Sequence, residues 1–110
     1  MKGWINLKKF LVICKQTGQA TAFKRVLLEH TEQNNIPVKW YFADDKAYLE
    51  TVEKEGINLV VISPEVLLVE KHIKEELNKK GVEYFSMKPI DFGLRRMEKL
   101  MPILEPYINK

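Results

Sequence analysis

Two runs of four residues, 10–13 ("FLVI") and 59–62 ("LVVI"), are apolar at every position. A strand with one face in water alternates apolar and polar residues, so runs with no alternation belong to strands covered on both faces. They read as the centre of a sheet, within strands at residues 8–14 ("KKFLVIC") and 58–62 ("NLVVI"). Two further β-rich runs, residues 37–43 ("PVKWYFA") and 82–86 ("VEYFS"), carry Pro, Lys or Glu and read as edge strands.

Helical patterns separate these runs. Phe23, Val26 and Leu27 recur at helical spacing through residues 20–34, and "NNIP" stops that helix. Asp44 is an N-cap for a second helix with Tyr48, Val52 and Leu49 inward. Ser63, Pro64 and Glu65 form a third start, with an inner stripe of Val66, Val69, Ile73 and Leu77 and Gly81 as the stop. The last segment places Leu94, Met97, Met101, Leu104 and Ile108 on one side, and Pro102 is expected to kink or restart it.

Alternation of strand and helix over 110 residues implies a single α/β domain, a doubly wound four-stranded parallel sheet with helices on both faces. Two buried and two edge strands give the order 2-1-3-4. The topological switch then lies between the first and third strands, where ligands bind outside the carboxyl ends. The loops facing it are residues 15–19 and 63–65.

Charged residues make up 30% of the chain and are mixed in sign, with a net charge of +3, so no basic face tracks a nucleic-acid backbone. No apolar run reaches the roughly 20 residues of a membrane span, and the N-terminal "MKGWINLKKF" is charged where a signal peptide is apolar. The chain is expected in the cytoplasm. It has one cysteine, Cys14, which excludes an internal disulfide and a Cys-based zinc site.

Cys14 stands where the first strand gives way to a Gly-containing turn and a helix. Two readings follow from the residues. A lone Cys at a strand end is a small buried hydrophobe. Alternatively, the loop Lys15, Gln16, Thr17, Gly18, Gln19, Ala20 and Thr21 is an anion nest. Its inward N–H groups and helix dipole would lower the thiol pKa and accept a phosphoryl group on sulfur, Gly18 taking a positive φ and Thr17 and Thr21 adding hydroxyls. A tyrosine phosphatase needs an Arg six residues after the Cys, where Ala20 stands, and a redox pair needs a second Cys. A phosphoryl carrier remains.

The order of strand, Cys14, Gly18 loop and helix, then "LVVISPEV" and "PIDFG", resembles the IIB component of the bacterial sugar phosphotransferase system, lactose/cellobiose class, over nearly the whole of residues 1–110. Cys14, Gly18, Thr21, Pro64, Val66 and Gly93 sit at positions matching that family's loops, whereas Ala20 and Ala22 replace two loop serines. The resemblance implies a cytoplasmic phosphotransferase without cofactor or metal. It implies that Cys14 takes phosphate from a phosphohistidine of the IIA partner and passes it to a sugar on the membrane IIC permease, beside which the carrier works; a monomer is the default for a small carrier that meets two partners in turn. The missing serines keep open a second reading, a non-catalytic module of the same fold.

Lys88-Pro89 resembles a feature of two-component receiver domains. An acidic pair after the first strand is missing, and Ser63 stands where the receiver Asp belongs, so Lys88 is read as an exposed loop lysine. His30 and His72 read as solvent-facing, and Trp4 and Trp40 as packing on the core or sheet edge. Asp91 and Phe92 are candidates for the border of a docking face.

Overall fold

In the computed structural model, which describes residues 7–110, β1 (Lys8–Ile13) lies at the centre of a four-stranded sheet. It pairs in parallel with β2 (Val38–Ala43) on one side and β3 (Leu59–Ile62) on the other, and β3 pairs in parallel with β4 (Glu83–Ser86). The order is β2-β1-β3-β4, as expected, and each strand begins and ends within one residue of its sequence-derived bounds.

Successive side chains alternate between two cores. Phe10, Val12, Cys14, Leu59 and Val61 face a cluster completed by α1 (Gly18–Gln33), α4 (Pro89–Gly93) and α5 (Met97–Ile108). Leu11, Ile13, Val60 and Ile62 face a second cluster completed by α2 (Tyr48–Glu55) and α3 (Glu70–Lys80). Residues 10–13 and 59–62 are buried throughout, at about 1.5–3 kcal/mol for each large apolar side chain, so the two centre strands anchor both layers. The radius of gyration, 13.2 Å, is that of one domain of this length.

Several local details differ from the sequence reading. α1 starts at Gly18, two residues early, because the Thr17 side chain caps it by accepting the Ala20 N–H at 3.0 Å. Gly18 therefore has no positive φ; among the described glycines that belongs to Gly56 and Gly81, which close α2 and α3. Asp44 caps a turn ahead of α2, its carboxylate accepting the N–H groups of Lys46 and Ala47. Tyr48 and Val52 are buried and Leu49 is partly so.

Ser63 caps the third helical segment as expected, accepting from the Glu65 N–H, but residues Pro64–Val69 form a 3-10 helix before α3 begins. The tighter winding turns Val69 outward while Val66, Ile73 and Leu77 stay buried. The last segment is two helices: Arg95, at φ 52°, breaks the chain between α4 and α5. Leu94 thus leaves the inner stripe and is 62% exposed, and Leu100 joins Met97 and Leu104 inside. α5 neither ends nor restarts at Pro102. Pro102 and Glu98 are both on the exposed side, so the carbonyl that the ring leaves without an N–H partner is not sealed in the core.

Trp40 stands on the edge strand β2, packs edge-on against Phe10 at 5.4 Å and donates its indole N–H to Thr31. Trp4 lies outside the described residues.

Candidate functional site

The carboxyl edge of the sheet is extended by backbone bonds: Cys14 N–H donates to Ala43 O, Ser63 N–H to Ile13 O, and Met87 N–H to Ile62 O. One step beyond the paired register, Asp44, Cys14, Ser63 and Met87 follow the four strand ends side by side, with Cys14 and Met87 in the core layer that α1 covers. Cys14, Ser63 and Met87 are buried, and Ser63 is fully so. The sequence reading named Ser63 as a cap, and it is also the neighbour of the thiol across the sheet.

Only Lys15, Gln16 and Thr17 separate Cys14 from α1. All three side chains are exposed, as are Gly18 and Gln19, whereas Ala20 is packed in the core beside Cys14 and Phe23. Thr21 donates its hydroxyl to the Thr17 carbonyl one turn back, so it does not serve as a loop donor. The amides of Gly18 and Gln19 open the helix and have no intrahelical carbonyl to reach. An ideal Cβ on Gly18 would meet nothing within 4 Å, so the chain at this point is open to an approaching group.

One residue from the facing loop enters the site. The Glu65 carboxylate accepts the Lys15 N–H through Oε1 at 2.8 Å and the Thr17 hydroxyl through Oε2. The donors expected to turn toward the sulfur are in this way directed to a carboxylate. Sequence reasoning placed residues 63–65 at the switch but assigned Glu65 no part in the chemistry. Lys24 was missed as well: it lies in the second turn of α1, its ammonium 5.1 Å from the Phe42 ring centroid, near enough to Cys14 to act on its charge.

Cys14 is 4% exposed. Burial pushes its thiol above the ordinary value; the Lys24 ammonium opposes this, and the Glu65 and Asp44 carboxylates add to it. The expectation of a lowered pKa is overturned. Desolvation disfavours the thiolate, and the loop N–H that would stabilise it is bonded to Glu65.

The remaining sequence candidates lie elsewhere. Phe92 is fully buried against Phe23 and forms no surface. Asp91 is half-buried, 3.7 Å from the Arg96 guanidinium. Lys88 is exposed, as read. His72 is exposed, and His30, half-buried near the far end of α1, has its carbonyl bonded by the Asn34 side chain. Among the described residues no cluster of His, Cys, Asp and Glu is placed to hold a metal ion, and no helix is long and apolar enough to cross a membrane.

No family model matches the chain, and no curated protein does. Solved structures do. The solution structure of the cellobiose-specific phosphotransferase IIB component from Borrelia burgdorferi superposes with a TM-score of 0.73 at 18% identity, covering 93% of this chain and 92% of that one. The lactose-specific IIB component domain of the phosphoenolpyruvate:carbohydrate phosphotransferase system from Streptococcus pneumoniae gives 0.72 at 16% identity, covering 90% and 96%. At such identities the likeness is one of fold. With its four parallel strands in the order 2-1-3-4, the chain has the fold of these cellobiose- and lactose-specific IIB components over nearly its whole length.

Proposed function

We propose that this protein is a phosphoryl carrier, a IIB component of a bacterial sugar phosphotransferase system of the lactose/cellobiose class. The observation that carries the reading is the position of Cys14. The lone thiol stands at the carboxyl end of a central strand, at the switch point, one short loop before the open amides of α1, in a fold shared with IIB components. In this reading residues 1–110 are one IIB domain that meets a IIA partner and the membrane IIC permease in turn, as a monomer on the cytoplasmic side.

The chemistry is two in-line displacements. The Cys14 sulfur attacks the phosphorus of the IIA phosphohistidine; the S–P bond forms as the P–N bond breaks, and the thiol proton ends on the released imidazole nitrogen. The leaving imidazole nitrogen is the acceptor for the proton that burial keeps on the resting thiol, and the sulfur attacks as that proton leaves it. The amides of Lys15, Gly18 and Gln19 are the donors for the phosphoryl oxygens, and the dipole of α1 favours the added charge. A sugar hydroxyl on IIC then attacks phosphorus, the O–P bond forms as S–P breaks, and the hydroxyl proton returns to sulfur.

Incubation with phosphorylated IIA protein tests the reading. A phosphoryl adduct on the peptide carrying Cys14, iodine-labile and lost in Cys14→Ser, is the expected result. No adduct under conditions that load an established IIB protein would overturn it. The second reading, a non-catalytic module of the same fold, is favoured by one observation, the carboxylate of Glu65 among the loop donors.

A further inference from the structure

Glu65 is held at both ends. Its backbone N–H donates to Ser63 Oγ at 3.3 Å, which fixes the turn after β3. Its carboxylate takes the Lys15 amide and the Thr17 hydroxyl, and Thr17 Oγ1 in turn accepts the Ala20 amide at 3.0 Å. A chain of hydrogen bonds thus joins the end of one central strand to the helix that follows the other, across fifty positions of sequence. Its midpoint is an anion, set in the loop that begins at Cys14.

A phosphoryl group bonded to Cys14 and the Glu65 carboxylate need the same donors. The Lys15 N–H belongs to the residue next to the sulfur, and Thr17 caps the helix whose open amides face the loop. Two anions in one small loop repel each other, and a buried or half-buried carboxylate without its donors is costly. We propose that Glu65 is a built-in occupant of the anion site: its carboxylate holds the empty loop in shape, and the phosphoryl group displaces it. The proposal rests on the carrier reading.

The consequences are local. In the empty form Glu65 directs the loop donors away from sulfur and adds negative charge beside it, so the thiol is kept protonated and slow to react. The other charges facing the thiol are Lys24 from α1 and Asp44 at the end of β2, of opposite effect. The 3-10 turn of Pro64–Val69 that carries Glu65 keeps its Ser63 cap in both forms and presents Leu67 and Leu68, the latter 100% exposed.

Wild type, Glu65→Gln and Glu65→Ala are compared in two measurements that need no partner protein: the pH profile of Cys14 alkylation by iodoacetamide, and inorganic phosphate binding followed at the Lys15 amide by NMR. Gln keeps the size and an acceptor oxygen, so it retains the fold if Ala does not. In the variants the alkylation profile moves to lower pH, and phosphate binds about tenfold more tightly, the scale of one charge-assisted hydrogen bond no longer competed for. An alkylation profile or a phosphate affinity unchanged in both variants overturns the proposal. Failure of the carrier reading is distinct: neither wild type nor Glu65→Gln then takes label from phosphorylated IIA, whatever the thiol and phosphate measurements show.

Discussion

Phe23 of α1 and Phe92 of α4 are fully buried against each other, ring centroids 4.8 Å apart and planes tilted by 36°. The contact ties the helix that opens at the Cys14 loop to the segment that follows β4, two parts of the chain that the sheet alone leaves on separate strands. Phe92→Ala empties that contact and is expected to cost about 3–5 kcal/mol in urea unfolding. A loss below about 0.5 kcal/mol, the size of an ordinary surface effect, would contradict the placement.

Thr17 both caps α1 and donates to Glu65. Thr17→Ala leaves the Ala20 amide without its partner and is expected to lower stability by about 1 kcal/mol, within the usual range for lost N-caps. Thr17→Ser keeps both bonds and restores most of the loss. Chemical denaturation of the three proteins measures both.

The glycines separate by backbone angle. Gly81 ends α3 at φ 68°, so Gly81→Ala is expected to destabilise by about 1–2 kcal/mol. Gly18 is the first residue of α1, with no positive φ and open space where a Cβ would stand. Gly18→Ala is expected to leave stability unchanged or raise it by up to about 1 kcal/mol. Paired melting curves decide the sign of each.

Burial holds the Cys14 thiol above its ordinary value, so the folded protein keeps this proton at a pH where the unfolded chain has released it. The stability this contributes is fully present below the unfolded pKa, near 8.5, and is lost as pH rises through the higher folded one. Tyr48, raised by burial and then by Glu76, adds a loss of the same sign in any Cys14 variant. Wild type is therefore expected to lose more stability than Cys14→Ala as pH rises above about 8.5. Urea midpoints of the two proteins across that range check the difference.

The positions of β1 and β3 were legible because burial on both faces leaves its mark in composition, and the edge strands because Lys39 and Glu83 on them remain exposed. Caps were legible where they act over a few residues, as Ser63 and Gly81 do. The break at Arg95 was not, since a single left-handed residue outside glycine carries no periodic signal. Nor was the outward turn of Val69, which follows from the winding of a 3-10 helix and not from spacing on an α-helix.

Sequence by itself determined the sheet order, the two core faces and the place of Cys14 at the carboxyl edge, because hydrophobic pattern, caps and stops act over short stretches of chain. Only the tertiary structure decided the chemical state of that thiol. The register of β1 on β3 brings Glu65 against Lys15 and Thr17, and burial with long-range charge then sets the protonation of Cys14.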